Sequence, residues 1–299
     1  MRGMLACLLI LVLANMQSAL AESHPVVNVR DALKNIKPSG GSCTQKDANK
    51  PKPSKVTPVA EVKPDLSCTM APVDLAHQLQ SANTVLIDTR SAMDFANYHI
   101  DGAMNLSSTE LRSKSFLREK SVVLIANGKA EREQYIDCKR LKSNGFKQVK
   151  VLRGGMPAWL ASGQNVLGQS PNPAQLARLT PSDLWIESRF EANLVLLTMG
   201  QAALQKQFSN SLLIPDEKPK TIQSAIEHRK NHSKSRSLAA VVLITDKDID
   251  FKALSQAIKP VPLLVYAETA DAFTHYVAQQ NIVWEAQARG PKQPSGCGR

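Results

Sequence analysis

Aromatic residues are scarce in this 299-residue chain, at 5%. None is interleaved with its two lysine-rich stretches, which argues against the stacking contacts that bind nucleic acid. Cysteine occurs five times, with no Cys-x-x-Cys pair anywhere, so a dithiol oxidoreductase of the thioredoxin kind is disfavoured. After residues 4–15 no run is apolar and long enough to span a bilayer. Metal ligands in a usable pattern are missing too. Asp246, Asp248 and Asp250 stand two apart but lack the glycine and distal glutamate of a calcium loop, and suit helix capping better. His228 and His232 have helical spacing for a metal, yet they lie among Arg229, Lys230, Lys234 and Arg236, which repel a cation. No metal and no cofactor is expected.

What the chain does have begins with an export signal. Arg2 supplies a positive start, residues 4–15 form a short apolar core, and Ala19-Leu20-Ala21 offers small residues where a signal peptidase reads. Cleavage is expected after Ala21, giving a periplasmic or secreted protein. The net charge is +11, much of it in residues 46–63 and 218–236. Both stretches are read as solvated linker or loop. Attraction to an anionic membrane surface or an acidic partner is the sharper alternative. Four cysteines survive cleavage. In an oxidising compartment Cys43 and Cys68 are a natural pair, because they flank a Pro/Lys-rich stretch with no core of its own. Closing that loop contributes on the order of 3 kcal/mol by chain entropy. Two unpaired thiols are the alternative.

Hydrophobic residues make up 43% of the chain, enough for packed cores in two domains of ordinary size. The expected organisation is a signal peptide at 1–21, a linker-like segment at 22–69, an α/β domain at 70–168, a second α/β domain at 174–290 and a flexible tail at 291–299. In the first domain, apolar runs at 85–88, 103–106, 122–126 and 149–152 predict strands. Helical spacing at 72–79, 91–98 and 131–143, and again after Gly154-Gly155, predicts helices between and after them. Such alternation argues for a parallel sheet flanked by helices. The second domain opens with Leu179-Thr180-Pro181-Ser182-Asp183-Leu184, which echoes Met70-Ala71-Pro72-Val73-Asp74-Leu75. Its order of elements repeats the first, with strands at 194–198, 211–215, 239–245 and 262–266 and helices at 251–258 and 270–280. The reading is a tandem with a degenerate second copy; an unrelated α/β domain of thioredoxin-like kind is the alternative.

Four motifs in the first domain stand in order: Asp88-Thr89-Arg90 after a strand, His99-Ile100-Asp101-Gly102-Ala103, Asn144-Gly145-Phe146 at a helix exit, and Gly154-Gly155-Met156-Pro157-Ala158-Trp159. Together they resemble the rhodanese (sulfurtransferase) domain family over about residues 70–168. The resemblance implies a nucleophilic cysteine at the end of the strand 122–126. A turn of backbone N–H groups at a helix N-terminus would encircle its sulfur and lower the thiol pKa. In this chain that position falls on Ala126 or Asn127, and neither side chain can carry a sulfane sulfur. Asn127, Gly128, Lys129, Ala130, Glu131 and Arg132 therefore read as a degenerate active-site loop with no catalytic residue. Gly128, Lys129 and Arg132 still offer a cradle for a sulfate-like anion or a partner carboxylate, while Glu131 brings negative charge to it.

Each motif residue also has a structural reading. Asp88 and Arg90 are expected to pair locally or to cap the next helix, and His99 to orient a turn. Gly102, Gly154 and Gly155 permit backbone conformations closed to other residues, and Trp159 packs on the sheet. Cys138 shares a helix face with Leu141 and reads as a buried, inert thiol. Cys297 sits in a tail, as a reactive or partner-linked thiol or as one half of a disulfide with Cys138 or the N-terminal pair. The favoured expectation is a catalytically inactive binding or assembly module of the cell envelope, whose partner is an envelope protein or a small anion. The rival is a periplasmic sulfurtransferase or sulfane-sulfur carrier using Cys297 or Cys138.

Overall fold

Two runs buried at every position, Ser121–Ile125 and Val241–Ile244, form inner strands of two parallel sheets. Strands covered on both faces have no polar face to show, which is why these runs lack alternation. The computed structural model describes residues 62–80, 83–232 and 237–289. The expected signal peptide, Cys43, Cys297 and the tail lie outside them.

The first half contains β1 (Thr69–Met70), α1 (Pro72–Gln78), β2 (Thr84–Asp88), α2 (Ala92–Asn97), β3 (Tyr98–His99), β4 (Met104–Asn105), α3 (Ser108–Ser113), β5 (Ser121–Ile125), α4 (Glu131–Ser143), β6 (Gln148–Leu152), α5 (Gly155–Ala161) and β7 (Leu167–Gly168). The second contains α6 (Pro173–Leu176), α7 (Pro181–Glu187), β8 (Leu194–Thr198), β9 (Ser211–Ile214), α8 (Pro219–His232), β10 (Val241–Ile244), α9 (Phe251–Ala257), β11 (Leu263–Tyr266) and α10 (Ala270–Arg289). The first sheet has the order β1-β6-β5-β2-β4 and the second β11-β10-β8-β9, all pairs parallel. The second order is that of β6-β5-β2-β4, strand for strand. The first sheet's edge strand also has a counterpart: Arg178 bridges Val265 of β11 in parallel, as Thr69 of β1 pairs with Val151 of β6. Each edge then runs into a helix with proline in its first turn, α1 or α7, whose Leu75 or Leu184 is fully buried.

Alternate residues of each strand feed opposite faces. Val122 and Leu124 pack with Tyr135 and Leu141 of α4, whereas Val123 and Ile125 pack with Leu75 of α1 and with Met156 and Trp159 of α5. The cluster under α4 also takes in Phe190, Ala192 and Ala239 from the second half, so the two halves share a core there. Among the described residues no helix is long and apolar enough to cross a membrane.

Three expectations change. The stretch 218–236, read as solvated loop, is helical over Pro219–His232, because Ile222, Ala225 and Ile226 recur at helical spacing and are buried on the second sheet. The final helix runs on past residue 280 to Arg289. The third concerns cysteine. Cys68 is bonded to Cys138, not to Cys43, with Cα atoms 6.6 Å apart. Cys68 ends the turn before β1, and Cys138 lies on the sheet-facing side of α4, so both reach one core with no exposed surface. Cys138 is buried as expected, but it is not a free thiol.

Candidate functional site

The loop between β5 and α4 lies where the strand ends of an open α/β sheet gather ligands. Ala126 is buried, Asn127 is exposed, and the Asn127 Oδ1 accepts the Lys129 N–H at 2.9 Å, closing a tight turn. Gly128 has φ +79°, and a Cβ there would stand 2.5 Å from the Gly154 carbonyl oxygen. A Cβ on Gly155 would stand 2.5 Å from the Gly128 nitrogen. The Met156 N–H completes the seam by donating to the Ala126 carbonyl at 2.9 Å. The Gly-Gly turn and the loop thus lie backbone against backbone, and the glycines are there because nothing larger fits.

Helix α4 starts from Ala130, which is left-handed at φ 52° and gives the helix no side-chain cap. The missing acceptor comes from 57 residues along the chain: Glu187, at the end of α7, takes the Ala130 N–H on its Oε1 at 2.5 Å. The other Glu187 oxygen accepts the Asn193 amide at 2.8 Å. One turn earlier on α7, Asp183 Oδ2 meets Lys129 Nζ at 2.8 Å. Asp183 and Glu187 are four residues apart, so one face of α7 sets two carboxylates against the loop. The N-terminus of α4 favours negative charge. Here the protein's own second half supplies it.

A third carboxyl lies beneath. Glu131, the first residue of α4, is 4% exposed and accepts the Gly154 N–H. Burial, and after it the neighbouring Glu187 charge, pushes its pKa up to about 8, while the Gly154 bond and Arg153 pull more weakly the other way. Glu131 therefore carries a proton at neutral pH. Burial also raises Glu187, against the pull of the Ala130 and Asn193 donors. For Asp183 burial acts upward, but the Lys129 ammonium and the Thr180 N–H outweigh it and hold the carboxyl below its usual range. Tyr135, buried beside Glu131, is raised by burial and by that neighbour. Shortening Glu187 to Ala would orphan the Ala130 N–H and the Asn193 amide. A loss of about 2 kcal/mol in urea unfolding at pH 7 is expected for Glu187→Ala, and less than half of that for Glu187→Gln, which keeps an acceptor.

The other motif residues build the frame. Asp88 and Arg90 pair directly, at 2.7 Å, both buried. Arg90 also donates to the Tyr98 carbonyl at 2.7 Å and lies over the Tyr98 ring. His99 donates from Nδ1 to the Phe95 carbonyl at 2.8 Å and stacks on the Phe95 ring. Gly102 turns the chain at φ +74°, and Trp159 packs on the sheet with its Nε1 donating to the Asn165 carbonyl. Arg132 meets Glu133 at 3.1 Å. In the second half, Asp250 caps α9 by accepting the Ala253 N–H. His232 Nδ1 donates to the His228 carbonyl, and the two rings stack. Among the described residues no group of three or more His, Cys, Asp or Glu is placed to hold a metal ion.

The sequence reading missed Asp183, Glu187, Asn193 and Tyr135. The four-residue spacing of the first two was visible, but nothing in it named the loop they would face. Chemically, the loop retains a helix start and close-packed glycines, and a carboxylate already sits on it. Both described cysteines are in the disulfide.

Residues 71–162 match the family model described as rhodanese-like domain. Among solved structures, the chain is similar to a rhodanese-like domain of an Anabaena protein, at 25% identity over 34% of this chain and 80% of that one, with a TM-score of 0.31. It is similar to a rhodanese-related protein of Thermoplasma volcanium, at 21% identity over 34% and 98%, TM-score 0.29. It is also similar to SseA of Escherichia coli, described with the rhodanese fold of 3-mercaptopyruvate sulfotransferases, at 14% identity over 68% of this chain and 98% of that one, TM-score 0.29. No curated protein matches the chain.

Proposed function

We propose that the rhodanese-like domain at residues 71–162 serves here as a scaffold and carries no sulfur, and that the protein is a non-catalytic binding or assembly module exported to the cell envelope. One observation supports this most: the Glu187 carboxylate occupies the loop, taking the Ala130 N–H, while Asp183 pairs with Lys129. A loop that closes on its own chain is a joint between the two halves. It offers no nucleophile at 126 or 127, and the thiol nearest in sequence, Cys138, is held in a disulfide. Binding then falls to surfaces around the joint, with an envelope protein or a small anion as the partner. Export with cleavage after Ala21 belongs to the same proposal, and a mature N-terminus at Glu22 is the expected result of mass spectrometry on protein recovered from the periplasm.

The decisive assay is thiosulfate:cyanide sulfurtransferase turnover of the mature protein, wild type and Cys297→Ser, together with a search for persulfide by mass spectrometry. No turnover above the uncatalysed rate and no persulfide are expected. Turnover that disappears in Cys297→Ser would replace this reading with a sulfur-carrier role.

A further inference from the structure

We propose that the apolar groove between α1, α5 and the segment Phe251–Leu264 is a binding site for a small amphipathic carboxylate, a medium-chain fatty acid in chemical class. The groove encloses roughly 360 Å3, within the range of small-molecule sites. Four of its lining residues are prolines, Pro72, Pro157, Pro260 and Pro262. Proline has no N–H to offer and little freedom to lose, so the walls are both apolar and preformed, which lowers the ordering cost of binding. Val73 and Phe251 add apolar surface.

The charge on the lining is one-sided. Lys259 is its sole ionisable residue, and no Asp or Glu is present. Among the described residues no carboxylate stands within ion-pairing distance of Lys259, whose side chain is exposed. Ser255 stands with it as a hydroxyl donor. A ligand that satisfies this lining has an apolar body and one anionic head. A carboxylate head gains an ion pair with the exposed Lys259 ammonium that a neutral ligand does not, and dianions meet too few donors. The floor is a direct contact between the halves, since a Cβ on Gly154 would stand 2.6 Å from Pro262 Cγ. A ligand here touches both halves and stabilises the folded chain by mass action. The groove shares Gly154 and Pro157 with the packing beside the loop but draws on none of the joint's carboxylates, and the proposal stands whether or not the protein carries sulfur.

The test uses the mature full chain, with decanoate below its micelle concentration as the probe and 1-decanol as its uncharged counterpart, followed by calorimetry and thermal unfolding. Decanoate is expected to bind one per chain, about threefold more tightly than decanol and with a rise in Tm, because an ion pair with the solvent-exposed Lys259 is largely screened by water. Lys259→Gln is expected to remove that preference and leave decanol unchanged. Ala158→Phe fills the groove and is expected to abolish both. Val73→Phe, at a half-exposed rim position on α1, does the same if the first variant fails to fold. Three results would each overturn the proposal: no saturable binding of decanoate, equal affinity for decanoate and decanol in the wild type, or binding unaffected by a folded groove-filling variant. Protection of the groove by self-association, seen as a dimer with no decanoate site, would overturn it as well.

Discussion

Removing the Cys68–Cys138 disulfide is expected to lower the unfolding free energy by about 4 kcal/mol, as calculated from chain entropy for a loop of this size. The two residues are separated by 70 positions, so the bond closes much of the first half of the chain into one loop and withholds that freedom from the unfolded chain. For a domain whose whole stability is about 5–15 kcal/mol, this is a large share. The measurement is urea unfolding of wild type, Cys68→Ala/Cys138→Ala and Cys43→Ala, each with and without reductant. The double variant and reduced wild type should both shift by about that amount. Cys43→Ala should leave the midpoint in place, because Cys68 is already paired. A large effect of Cys43→Ala with none at Cys138 would restore the pairing that sequence proximity suggests.

The second large effect is expected from pH. Glu131 has a folded pKa of about 8, raised by burial and then by Glu187, against an ordinary value near 4.5 in the unfolded chain. A raised pKa means that the folded state holds the proton over a range where the unfolded state has released it. Stability is therefore highest below about pH 4.5, as far as this group is concerned, and falls as pH rises through about 8. At about 1.4 kcal/mol per pKa unit, the decline is about 5 kcal/mol at most. Glu187, also raised, pulls the same way, while Asp183, held low by Lys129, adds stability above the ordinary carboxylate range and loses it in acid. Gln imitates the protonated carboxyl and keeps an oxygen for the Gly154 N–H. Glu131→Gln should flatten the slope between pH 5 and pH 8 and leave the variant more stable than wild type at pH 8. An unchanged slope would place the titration elsewhere.

Much of the fold could be read along the chain. The runs at 122–126 and 194–198 are apolar at nearly every position, and their shortness and β-branched content suit a strand covered on both faces. Gly154-Gly155 and the Asn144-Gly145-Phe146 helix exit declare backbone conformations that few other residues reach. The echo of Pro72-Val73-Asp74-Leu75 in Pro181-Ser182-Asp183-Leu184 marks where the second α/β block opens. The helix over Pro219–His232 was harder to see, because three buried apolar residues among so many charges make a weak stripe.

The lack of a thiol at Ala126 and Asn127 needed no structure, since a side chain's chemistry travels with its letter. What fills the loop did need one. Glu187 lies 57 residues from Ala130, and Cys138 lies 70 from Cys68. Spacing within one helix says which residues share a face, and it says nothing of which distant loop that face will meet. The proton on Glu131 is settled in the same way: its carboxyl is ordinary as a residue, and only packing three elements around it removes the water that would have kept it charged.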